Sequence, residues 1–160
     1  MFIITKKSNI STLIIFILIP IALGLLSSLL AGNTANDYST LKQPPLSPPS
    51  YLFPIVWTIL YILMGISSYL IYTSDSVLKN KALRIYFIQL FVNFLWSPIF
   101  FGLNLYFLGF LWILLLIFLI LLMILIFYQI KPIAAYLQIP YLLWCCFAAY
   151  LSFMIFKLNS

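Results

Sequence analysis

Residues 85–128 read IYFIQLFVNFLWSPIFFGLNLYFLGFLWILLLIFLILLMILIFY, with no charged side chain anywhere in the run. A helix rises about 1.5 Å per residue and the hydrocarbon of a bilayer is about 30 Å thick, so this stretch is too long for one crossing. It must fold back on itself as two spans. Gly102 and Asn104 supply the natural turn between them, and Pro98 distorts the end of the helix before it.

Working outward from this run completes the count. Upstream, Asp75, Lys79, Lys81 and Arg84 form a short charged turn, preceded by an apolar run over 51–72. Before that lies a polar connection, 32–50, with prolines at 44, 45, 48 and 49, and before it the apolar stretch 10–30. That first stretch follows Lys6 and Lys7 as a signal peptide would. It is longer than the usual apolar region of about 7–15 residues, and Leu29-Leu30-Ala31 makes a poor cleavage site. Downstream, Lys131-Pro132 opens a last span ending near Lys157. The reading is an all-α membrane protein, a five-transmembrane-helix bundle with spans at about 10–30, 51–72, 84–101, 105–128 and 133–156, in one domain over 1–160.

Composition agrees. Of 160 residues, 66% are apolar and 6% charged, and the mean hydropathy is +1.20. A soluble domain keeps about a quarter of its residues charged. The net charge of +6 comes from bases flanking apolar runs, which suits membrane topology and lipid phosphate and not a nucleic-acid partner. With no histidine, the commonest ligand for a metal or haem iron is missing, so no metal or cofactor is expected. Cys145 and Cys146 are helix neighbours pointing about 100° apart, a poor geometry for a bridge, and read as packing residues.

Five crossings put the termini on opposite faces. Lys6, Lys7, Lys79, Lys81, Arg84 and Lys131 collect on the amino-terminal side, Lys42 and Lys157 on the other. The excess of bases predicts a multi-pass cell-membrane protein with its amino terminus in the cytoplasm and the proline-rich loop and carboxyl terminus outside. Proline fixes φ and removes a donor, so the loop is expected to be stiff and non-helical, either a lid or a tether.

No span carries a charge at mid-depth, which disfavours a proton-coupled pump and any hydrolase needing a carboxylate or histidine base. What remains is aromatic and amide chemistry in helical stripes: Trp57, Tyr61, Gly65, Ser68 and Tyr72 on the second span; Tyr86, Gln89, Asn93, Trp96, Ser97 and Phe100 on the third; Tyr141, Trp144, Ala148 and Ser152 on the fifth. The fourth, nearly all Leu, Ile and Phe, is expected to face lipid. Carboxamides such as Gln89 and Asn93 need partners in a bilayer and should point inward. Two readings stand: interhelical glue with tyrosine hydroxyls, or an aromatic pocket with a few placed polar groups. Tyr51, Tyr72 and Tyr86 also fit an interfacial belt.

The run from Pro48 to Gly65, PPSYLFPIVWTILYILMG, closely resembles the second-helix signature of the TspO/MBR family, the tryptophan-rich sensory proteins and translocator proteins. Gln89, Asn93, Leu95-Trp96-Ser97-Pro98 and Phe100-Phe101 extend the resemblance, as do Pro140-Tyr141-Leu142-Leu143-Trp144, Phe147-Ala148 and Leu158-Asn159. It covers essentially the whole chain. The resemblance implies a five-helix bundle, often a homodimer, that binds porphyrins such as protoporphyrin IX, and other flat hydrophobic ligands, in a pocket open toward the first loop; here that pocket is expected between spans one, two, three and five, capped by the proline-rich loop. Tyr38, Pro44, Trp57, Tyr61, Gln89, Asn93, Trp96, Tyr141, Trp144 and Ala148 are the implied ligand residues, with Lys42 near the mouth for a porphyrin propionate. Two alternatives follow from it: light- and oxygen-dependent porphyrin degradation, with Trp57 and Trp144 as redox participants, or transport of porphyrin or lipid. The family's first-loop tryptophans are replaced here by Asp37 and Leu46, and Tyr51 stands where many members have Trp. Phe153 also stands in place of the tyrosine of the cholesterol motif, so no cholesterol site is expected.

Overall fold

The computed structural model describes residues 9–160 and is helical almost throughout, with no strand among those residues. Lys6 and Lys7, which enter the charge-asymmetry argument, lie outside the described residues. The elements are α1 (Ile10–Ala31), α2 (Thr34–Thr40), α3 (Leu52–Tyr72), α4 (Lys79–Ser97), α5 (Tyr106–Ile130), α6 (Pro132–Tyr136) and α7 (Ile139–Asn159). Five stretches are long and apolar enough to cross a membrane: α1, α3, α4 with its π-turn, α5, and α6 with α7.

Helix ends follow local chemistry. The Asn9 side chain accepts from the Ser11 amide at 3.0 Å and caps α1. Gly32, at φ 87°, ends that helix in a conformation that L side chains avoid. Pro98 lacks the amide that would continue α4, and the chain widens into a π-helical turn over Pro98–Gly102. Asn104, at φ 55°, then completes the reversal.

Two expectations are corrected and a third is refined. The first loop is not wholly non-helical: the proline-free residues Thr34–Thr40 form α2, with the Asn33 side chain accepting from the Asn36 amide, and the helix ends ahead of the prolines. The fifth crossing is not continuous over 133–156. It breaks at Leu137 and Gln138, and α7 restarts with Pro140 in its first turn, where a missing amide costs nothing. The fourth span is largely outward-facing, as expected, with Leu111, Leu114, Leu115, Phe118, Leu121 and Leu125 exposed, but it is not the barest helix. Gly109, Ile113, Leu116, Ile120, Met123 and Phe127 form a buried seam along α5, whereas α1 buries only Pro20, Ser27 and Ala31.

The α1–α3 contact depends on glycine. A Cβ placed on Gly65 would lie 2.5 Å from the Ile17 Cα and 2.7 Å from the Phe16 carbonyl oxygen. Small residues that admit a neighbouring backbone are the usual device for packing helices in lipid, where apolar side chains gain nothing from association alone. One turn of α1 is further held by Ser27, whose hydroxyl donates to the Phe94 carbonyl at 2.6 Å.

Candidate functional site

The polar stripes of α3, α4 and α7 meet in one buried hydrogen-bond chain. The Tyr61 hydroxyl donates to Asn93 Oδ1 at 3.2 Å. Asn93 Nδ2 donates to the Tyr141 hydroxyl at 2.8 Å, and Tyr141 donates to Gln89 Oε1 at 2.8 Å. Tyr141, Gln89 and Asn93 are all buried. Isolated in hydrocarbon each would be costly; joined, they lock three helices in register. Tyr86, read as a belt candidate, is buried in the core, while Tyr51 is exposed.

Above this chain, toward the first loop, lies a cavity of about 620 Å³. Asn93 and Tyr61 line it together with Trp57, Trp96, Phe100, Tyr38, Phe53 and Ala148. Trp57 stacks on Tyr61 with ring centres 5.3 Å apart and makes a T-shaped contact with Tyr141. Trp96 stacks on Phe100 at 5.0 Å, its indole N–H held by the Gly109 carbonyl at 3.1 Å. These rings are therefore fixed before any ligand arrives.

The first loop roofs the cavity. Tyr38 is buried beneath it, edge-on to Phe53 at 4.9 Å, and donates to the Pro48 carbonyl at 3.1 Å. Loss of hydration raises the Tyr38 phenol above its ordinary pKa, so it stays a neutral donor at physiological pH. The Gln43 side-chain amide donates to the Tyr38 carbonyl and tightens the same turn.

Of the residues implied by sequence, Tyr38, Trp57, Tyr61, Asn93, Trp96 and Ala148 converge on the cavity. Gln89 and Tyr141 lie below it, in the polar chain. Pro44 is buried in the loop without lining the space, and Lys42 is exposed on the loop. Trp144 faces elsewhere: with Val56, Ile59, Pro140, Leu143 and Phe147 it lines a shallow groove on the outer side of α3 and α7. Its ring contact with the site is to Phe53, at 5.8 Å between ring centres.

Sequence reasoning missed Gly24, Ser27 and Ser28 of α1 and Ile113 and Leu116 of α5, all of which line the cavity. The α1 signal was present as a cluster of small residues in an otherwise bulky helix. For α5 no signal existed, because its wall residues are the same types as its lipid-facing ones.

The match to the TspO/MBR family model spans residues 16–158. The chain belongs to the TspO/MBR family. Tryptophan-rich protein TspO of Chlorobaculum tepidum is 37% identical over 158 residues, covering 96% of this chain and 99% of that one. The TspO of Archaeoglobus fulgidus is 36% identical, with 95% and 99% covered. The translocator protein of Ovis aries is 33% identical, with 91% and 88% covered. TspO/MBR membership and the five apolar crossings together support a multi-pass membrane protein with a receptor- or translocator-like role.

Proposed function

We propose that this TspO/MBR protein binds a flat hydrophobic ligand of the tetrapyrrole class, protoporphyrin IX being the natural probe, in the cavity beneath the first loop. The observation that carries the reading is the wall itself. Fixed aromatic rings surround a space of about 620 Å³ with few polar groups at its floor, within the range of about 300–1,000 Å³ typical of small-molecule sites. A macrocycle offers Trp57 a face to stack on, and its ring nitrogens offer Asn93 and Tyr61 hydrogen-bonding partners. Lys42, on the same loop, is the cation nearest in sequence to the roof for a propionate. The same reading places the face bearing Lys79, Lys81, Arg84 and Lys131 toward the cytoplasm in the cell membrane, with a homodimer as the assembly.

The test is titration of detergent-purified protein with protoporphyrin IX, followed by Soret absorbance and by quenching of tryptophan fluorescence. Saturable binding is expected with a dissociation constant on the order of micromolar. Trp57→Ala should weaken it at least about tenfold, equivalent to about 1.4 kcal/mol. Trp144→Phe, outside the cavity, should change it less than about twofold, since single ring contacts at a distance contribute little. Non-saturating uptake indifferent to Trp57 would mean that the porphyrin partitions into the micelle, and the reading would fail.

A further inference from the structure

The roof of the cavity is fastened to α7. The Lys42 amide donates to Asn159 Oδ1 at 2.9 Å, and Asn159 Nδ2 donates back to the Lys42 carbonyl at 3.1 Å. The Tyr150 hydroxyl adds a bond to the Pro45 carbonyl at 2.9 Å. An amide clip between residues 117 positions apart, with a second tie beside it, holds the loop over the end of the bundle.

The side wall between α1 and α3 is different. Lower in the membrane these helices touch backbone to backbone at Gly65 and Ile17, and Gly24 lies against the Tyr61 ring. Nearer the loop they part around the cavity. Leu25 and Ser28 of α1, and Tyr51, Pro54 and Thr58 at the start of α3, line it yet are exposed. Leu25 and Tyr51 keep 65% and 68% of their surface, too much for residues that face an enclosed space. Leu25 and Thr58 sit about 9 Å below the helix ends at about 1.5 Å per residue. That depth passes the headgroup layer and reaches the hydrocarbon. The Thr58 hydroxyl donates to the Pro54 carbonyl at 2.7 Å, so that donor is satisfied within α3.

We propose that the ligand enters and leaves sideways, out of the bilayer, through a slot between α1 and α3 rimmed by Leu25, Ser28, Tyr51, Pro54 and Thr58, while the loop stays clipped to α7. The cargo is then a hydrophobic molecule already dissolved in the membrane, and water never has to carry it. This route rests on the cavity being the ligand site.

Stopped-flow exchange of protoporphyrin IX with the full chain in lipid nanodiscs separates the possibilities. Thr58→Trp and Leu25→Trp fill the slot and should slow association and dissociation together, at least tenfold. Leu25→Ala widens it and should speed both, which keeps the test alive if a bulky variant does not fold. Asn159→Ala opens the clip and should leave both rates within twofold. Rates that ignore the slot variants, or that rise on Asn159→Ala, overturn the sideways route. Absence of saturable binding to the unaltered protein would instead overturn the ligand assignment itself, so the two failures are distinct.

Discussion

Gly65→Val is expected to destabilise the protein by about 3 kcal/mol, the upper part of the range for forcing atoms into a packed contact. On the scale of a chain this long the apparent unfolding midpoint in detergent should fall by about 6–12 °C. The reason is that the obstacle is backbone. The added Cβ would meet the Ile17 Cα at 2.5 Å and the Ile17 amide nitrogen at 2.8 Å, atoms that cannot rotate away, so α1 itself must move. Gly65→Ala should already show most of the loss. Gly24→Ala is the informative contrast. Its Cβ would collide with the Tyr61 ring, but a ring can swing aside. That variant should cost less stability while pulling the Tyr61 hydroxyl from Asn93 and weakening ligand binding. Unfolding of Gly65→Ala at the parent temperature would show that α1 and α3 do not approach this closely.

Asn93→Leu should have the second large effect, on stability and binding together. The side chain is nearly the same size, so little changes in packing. What changes is that the Tyr61 hydroxyl loses its acceptor on Asn93, while the Tyr141 hydroxyl loses the bond it accepts from Asn93 and keeps the one it donates to Gln89. A buried group left unpaired costs about 1–3 kcal/mol in general, and polar contacts between membrane helices fall toward the low end. A loss of about 2 kcal/mol is expected, with affinity for protoporphyrin IX reduced at least about tenfold because the polar floor of the cavity is gone. Tyr141→Phe combined with Asn93→Leu should cost less than the two single changes added, since both cut the same chain. Strict additivity in that cycle would show that the chain does not act as one unit.

The sequence carried the membrane class and the number of crossings because both depend on the length of apolar runs, a one-dimensional property. Residues 85–128 could be divided in two by arithmetic alone, and Pro98, Gly102 and Asn104 marked the point of division. The inward-facing residues of α3 and α4 were legible for a related reason. Tyr61, Gln89, Asn93 and Trp96 are polar or aromatic against an aliphatic background, so their spacing stands out and lipid excludes them from the outer face. On α5 that contrast vanishes: Ile113 and Leu116 wall the cavity while Leu114 and Leu115 meet lipid. No pattern could tell them apart.

Trp144 shows the limit from the other direction. It shares a stripe with Ala148, four residues on, yet Ala148 lines the cavity and Trp144 the outer groove. Helical spacing sets a side chain's angle around its own axis and says nothing about where a neighbouring helix begins or how the two cross. What the sequence by itself determined was five apolar crossings, the turns between them and the set of residues that lipid would not accept. Only the tertiary structure decided that Tyr61, Asn93, Tyr141 and Gln89 join in one chain, that the cavity lies above it, and that α1 closes against α3 at Gly65 but not at Leu25. Those outcomes depend on distances between helices, and they are set by side-chain volumes packed in three dimensions, which no single stretch of the chain contains.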